Sequence, residues 1–128
     1  MDKIIVAQIG NISIKIELKN TILAEKIWEK LPFKANVNTW GNEIYFEIPV
    51  TSAITKPVRE VDEGDVAYWP IGRCLCFFFG PTPASKSNKP TAASDVEVVG
   101  KITSNLKELK KIRGGEEISL KSFQSTSK

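Results

Sequence analysis

Apolar and polar residues alternate with a period of two over much of this chain, the pattern of strands whose side chains point in turn to opposite faces. Ile4 and Val6 share one face of a first strand; Ile12, Ile14, Ile16 and Leu18 line one face of a second, with Ser13, Lys15 and Glu17 opposite. Gly10-Asn11 between them predicts a hairpin turn, because both residue types tolerate positive φ. Further on, EIYFEIPV sets Ile44, Phe46 and Ile48 against Glu43, Tyr45 and Glu47. Val58 and Val61 predict a brief strand in the polar connection 51–63, and DVEVVGKI and GEEISLKS supply the last two. One buried and one solvated face per strand is the habit of antiparallel sheets.

Two segments break the alternation. Leu23, Ile27 and Leu31 recur every four positions and predict a helix over roughly 21–31. Asn20 or Thr21 can cap it, Trp28 widens its buried stripe, and Pro32 ends it. A second helix is predicted near 104–112, with Ser104 as N-cap, Leu106, Leu109 and Ile112 facing inward, and Gly114-Gly115 as the stop. Residues 81–94, PTPASKSNKPTAAS, carry no periodicity and predict a long loop.

The segment GDVAYWPIGRCLCFFFGPTP, residues 64–83, differs from the rest. Tyr68, Trp69, Phe77, Phe78 and Phe79 fall within it, although aromatics are only 9% of the chain. It predicts strands at 65–69 and 74–79 joined by a Pro/Gly turn. Val66, Tyr68, Leu75, Phe77 and Phe79 fall on one side; Ala67, Trp69, Cys74, Cys76 and Phe78 fall on the other. Since both faces are apolar, one must fill the core and the other must lie under a loop, a partner or a ligand.

Composition narrows the chemistry. A length of 128 residues suits a single domain over 1–128, with about 122–128 read as a flexible tail. There is no signal-peptide pattern and no run of about 20 apolar residues, so a cytoplasmic protein with no membrane partner is expected. The net charge of +3 is spread along the chain. Its one tight cluster, Lys107, Lys110 and Lys111, suits the C-terminal end of the second helix, so no nucleic-acid partner is expected. Histidine is absent, which excludes Ser-His-Asp and Cys-His mechanisms and removes the commonest zinc ligand. Cys74 and Cys76, two apart in a strand, sit about 7 Å apart at the α carbons and are poorly placed for a disulfide. They read as packed residues rather than a redox pair; no metal site and no cofactor are expected.

The order strand, strand, helix, several strands, helix, strand suggests a closed antiparallel β-barrel with two covering α-helices, a mainly β fold. Here the chain resembles the cyclophilins, the peptidyl-prolyl isomerase barrels, and more closely a family of small prokaryotic cyclophilin-like proteins of uncharacterised function. The resemblance is carried by GDVAYWPIGRCLCFFFGPTP and by VEVVGKITSNLKELKKI, which is similar to the segment that follows the cyclophilin pocket.

The resemblance places the isomerase pocket phenylalanine at Phe78, the pocket glutamine at Cys76 and the pocket alanine at Trp69. The pocket histidine falls near Val96, and the pocket tryptophan has no counterpart in 81–94. The isomerase arginine belongs on the strand ending at Pro49, but no arginine precedes Arg59. Without that donor, the roughly 18–20 kcal/mol barrier to rotating a peptide bond has no evident source of relief. Arg59 or Arg73 would have to substitute from a loop.

The reading is therefore of a non-catalytic binding module for a peptide or small ligand. Its cleft is expected on the outer face, formed by Trp69, Cys76 and Phe78 and rimmed by Trp40, Tyr45, Glu47 and Arg59, with no catalytic residue assigned. The alternatives are a weak or divergent prolyl isomerase, an aromatic protein interface, and a face simply covered by the 81–94 loop.

Overall fold

The computed structural model describes residues 3–123. The N-terminal hairpin forms as its alternation requires: β1 (Ile4–Ile9) pairs with β2 (Ile12–Leu18) around Gly10, whose φ of +58° needs a residue without a Cβ. The inward set of β1 is Ile5, Ala7 and Ile9, while Ile4 and Val6 are half-buried on the other face. Helix α1 (Ile22–Lys30) follows, with Thr21 rather than Asn20 as N-cap, its hydroxyl accepting from the Ala24 amide at 3.2 Å. Leu23, Ala24 and Ile27 are buried and Trp28 packs half-buried beside them.

Two short strands come next, β3 (Phe33–Asn36) and β4 (Asn38–Thr39), in a stretch for which the pattern predicts no element. Phe33, Ala35 and Val37 do alternate with Lys34, Asn36 and Asn38, but the run is short and starts beside Pro32. After them come β5 (Glu43–Glu47), β6 (Val58–Glu60), β7 (Asp65–Trp69), β8 (Cys74–Phe78), β9 (Thr91–Ile102) and β10 (Glu117–Ser122). The aperiodic loop is shorter than its sequence suggested, because residues 91–94 already belong to β9. Ser122, counted with the tail, pairs with Ile5, and the Phe123 amide donates to the Ile4 carbonyl at 2.8 Å. Residues 124–128 of that tail lie outside the described residues.

The strands run β3-β10-β1-β2-β9-β7-β8-β5-β4, every pair antiparallel, with β6 added alongside β9. This corrects the expectation of a barrel closed by hydrogen bonds. Its two edge strands, β3 and β4, are consecutive segments joined through Val37. The Val37 amide donates to the Glu116 carbonyl at 2.9 Å, and its carbonyl accepts from the Gly115 amide at 2.8 Å. The chain turns there from one edge to the other, and the sheet is joined covalently rather than by a ladder.

The second helix also differs. Leu106–Lys111 forms a 3-10 helix, capped by Asn105 rather than Ser104; the Asn105 side chain accepts from the Lys107 amide at 2.9 Å. Its apolar residues, Leu106, Leu109 and Ile112, are spaced by three, which matches three residues per turn better than 3.6.

Inside, the predicted core assembles. Ile44, Phe46, Val66, Tyr68, Leu75, Phe77 and Phe79 are all buried, together with Ile14, Ile16 and Leu18 of β2. Phe46 and Phe77 meet edge to face at 5.4 Å between centroids. The Tyr68 hydroxyl, the polar tip of a fully buried ring, donates to the Val50 carbonyl at 2.7 Å.

Candidate functional site

The outward face of β7 and β8 does not end at solvent. Val61, Ala67, Cys74, Cys76, Phe78, Ala92 and Val96 form a second apolar cluster, with Tyr45, Trp69 and Val98 packed against it. Period two places Ala67, Cys76 and Tyr45 on this side, and the ladder aligns them: Cys76 is opposite Ala67 on β7 and Tyr45 on β5. The first half of β9 supplies the cover. It pairs with β6, Val58 against Val96 and Glu60 against Thr91, and thereby lies over Phe78.

The approach to β9 is a turn-rich segment rather than a free loop. The Thr82 hydroxyl donates to the Thr91 carbonyl, the Ser85 hydroxyl to the Lys89 carbonyl at 2.8 Å, and the Asn42 side-chain amide to the Pro81 carbonyl at 2.9 Å. These bonds fix the start of β9 against the turn between β4 and β5.

The cover is incomplete, and a cavity of about 200 Å³ remains between it and the sheet, lined by Trp40, Glu43, Tyr45, Trp69, Cys76, Ala92, Ala93 and Val96. Tyr45 and Trp69 form one wall, their rings 6.3 Å apart and nearly perpendicular. The Trp69 indole N–H donates to the Ser94 hydroxyl on β9, tying this wall to the cover. Trp40 also lines the cavity, its backbone placed by the bond its amide donates to the Glu43 carbonyl at 2.9 Å.

Glu43 is the unexpected member. Its residue is only 6% exposed, and its carboxyl hydrogen-bonds with the Cys76 thiol. Burial pushes its pKa up from 4.5 to about 7, against a smaller downward pull from that hydrogen bond. The same environment holds the Cys76 thiol well above the ordinary thiol range, through burial first and then the neighbouring Glu43. Burial also raises the Cys74 pKa, helped by Glu47 and Glu43, and its thiol donates to the Gly72 carbonyl at 3.3 Å. Both cysteines are free and buried. Among the described residues no group of three or more Cys, Asp or Glu gathers as a metal would need.

Of the seven cleft residues expected from the sequence, the structure brings Trp40, Tyr45, Trp69 and Cys76 together around the cavity. Three lie elsewhere. Phe78 is fully buried under Val61 and Ala92, because β9 closes over it. Glu47 projects beyond the cavity and pairs with Arg73. Arg59 pairs with Asp95 at 3.0 Å, an exposed contact between β6 and β9. Glu43 was missed because alternation groups it with the exposed Glu47, and only the distant β9 segment distinguishes them.

An antiparallel sheet wraps one apolar core, and a second apolar cluster lies outside β7 and β8. The sequence matches the cyclophilin-like family over residues 3–121, and the chain belongs to that family. It is similar to the hypothetical protein AF2241 from Archaeoglobus fulgidus, whose solution structure superposes with a TM-score of 0.80 at 31% identity, covering 94% of each chain. No curated protein matches the sequence. Among the described residues no helix is long and apolar enough to cross a membrane.

Proposed function

We propose that this protein is a non-catalytic binding module whose outer-face cavity takes a small ligand. The observation that carries the reading is the built cavity itself: a lining that includes Trp40, Tyr45 and Trp69, a buried carboxyl beside them, and a cover fixed by the Trp69–Ser94 bond. Ligand pockets are mainly apolar with a few placed polar groups. At about 200 Å³ the space is below the roughly 300–1,000 Å³ of drug-sized sites, which favours a compact molecule over an extended peptide.

The isomerase alternative is disfavoured by the positions of the arginines. Prolyl isomerisation needs a donor aimed at the twisting amide. Arg59 holds Asp95 and Arg73 holds Glu47, and neither lines the cavity. A coupled proline-isomerisation assay on wild type and Arg59→Ala is expected to give the uncatalysed rate for both.

The binding reading is tested by NMR titration with a set of small fragments, following the indole N–H signals of Trp40 and Trp69. Shifts confined to the cavity are expected for some of them. If no fragment moves either signal while the rest of the spectrum shows an intact fold, the reading fails.

A further inference from the structure

We infer that the ligand of this cavity is a small organic cation, an ammonium or amidinium group, seated among Trp40, Tyr45 and Trp69 with its charge directed at the Glu43 carboxylate. The inference rests on the cavity being a ligand site and specifies its chemistry.

The charge pattern of the lining is the first ground. Of its residues, Glu43 is the one acid, and no lysine or arginine lines the cavity. Four cations of the chain are paired with acids outside the lining: Arg73 with Glu47, Arg59 with Asp95, Lys89 with Asp62 and Lys101 with Asp65. The Glu43 side chain has the Cys76 thiol as its hydrogen-bond partner, a weak and neutral one. A buried carboxylate without a counter-charge is costly, and a cationic ligand supplies what the fold omits.

The walls are the second ground. A cation near aromatic rings gains about 0.5–1 kcal/mol at exposed sites and about 2 kcal/mol or more when desolvated, and aromatic cages serve this purpose for methylated ammonium groups. Three aromatic residues line the cavity with one acid here, and its volume of about 200 Å³ suits a compact cation.

Binding of this kind is linked to protonation. The Cys76 thiol from β8 is the hydrogen-bond partner of the Glu43 carboxyl, Cys74 on the same strand lies within electrostatic reach of it, and the Tyr45 phenol from β5 shares the lining; Trp40, Trp69, Ala92, Ala93 and Val96 bring no titratable group. A cation binds the ionised carboxylate, so it displaces a proton below pH 7 and binds more tightly as pH rises through about 7.

The experiment titrates tetramethylammonium, methylammonium and guanidinium, with tert-butanol as a neutral probe and acetate as an anionic one. The readout is the Trp40 and Trp69 indole signals at pH 8.5 and pH 5.5. Cations are expected to bind at pH 8.5 and to weaken roughly thirty-fold at pH 5.5, where few Glu43 carboxyls are ionised. Glu43→Gln is expected to weaken cation binding at least about ten-fold and to remove its pH dependence. If tert-butanol or acetate binds as well as the cations, or wild-type cation binding does not change with pH, the inference is overturned while the ligand site stands. If no probe moves either indole, the inference is likewise overturned, and the wider fragment titration decides whether the ligand site stands. The wild-type pH comparison decides the matter even where Glu43→Gln folds poorly.

Discussion

Phe77 and Phe78 are consecutive residues of β8, both fully buried, and each belongs to a different apolar cluster. Phe77 meets Phe46 in the main core, whereas Phe78 belongs with Val61 and Ala92 to the cluster on the other face of the sheet. The sheet is a single layer between two apolar clusters, and its pleat serves both. Phe→Ala at a core site costs about 3–5 kcal/mol, so Phe77→Ala and Phe78→Ala should each lower urea-unfolding stability by that order. Their optical signatures should differ. Phe78→Ala is expected to shift Trp69 fluorescence in the folded protein, and Phe77→Ala to leave it unchanged.

Glu43 gives stability a definite pH dependence. Its pKa of about 7 in the folded chain lies above the 4.5 of an unburied glutamate, so the folded form holds the proton more tightly. Its stabilising contribution is fully present below about pH 4.5 and is lost as pH rises through about 7. At about 1.4 kcal/mol per pH unit the loss amounts to roughly 3 kcal/mol. Glu43→Gln should remove this component of the slope, leaving the variant more stable than wild type at pH 8. Urea midpoints measured from pH 4.5 to pH 8 check the sign.

Gly72 is required by Trp69. A Cβ at this position would lie 2.6 Å from Cζ3 and 2.8 Å from Cε3 of the indole, which cannot recede freely while its N–H is held by Ser94. Gly72→Ala is expected to cost about 1–3 kcal/mol and to move the Trp69 indole signal, a change at the cavity wall made from behind it.

The raised pKa values of Cys74 and Cys76 predict thiols that are inert in the folded protein. At pH 8, reaction with Ellman's reagent should be at least about ten-fold slower in native protein than in urea, and both thiols should react once the chain unfolds. Fast native labelling at either position would contradict the burial described for β8.

Much of the fold was legible because period-two alternation is a local signal. The two-sided assignment of 65–79 needed no knowledge of the rest of the chain, and the inward residues of β2, β5, β7 and β8 all followed from it. The edge strands and the second helix were harder. Phe33–Val37 alternates but follows Pro32, and a spacing of three at 106–112 sits between two helix types. The site was legible only in part. Alternation shows which residues share a face, not which stretch of that face a remote segment covers. Trp69, Tyr45 and Cys76 were found because they are apolar on an outward face. Glu43 was not, because its burial depends on β9, which starts more than forty residues later.

The two free edges of the sheet have a bearing on solubility. Beside the turn at Val37, β3 and the end of β5 are separated by an open cleft that exposes Lys34, Asn36, Glu47, Pro49 and Arg73 along both lips. Unladdered backbone invites a foreign strand, and charged side chains with a proline are the usual deterrent. Because Lys34 and Arg73 would have to lose water before another chain could zip in, the gap can stay unfilled without becoming a nucleus for fibre growth.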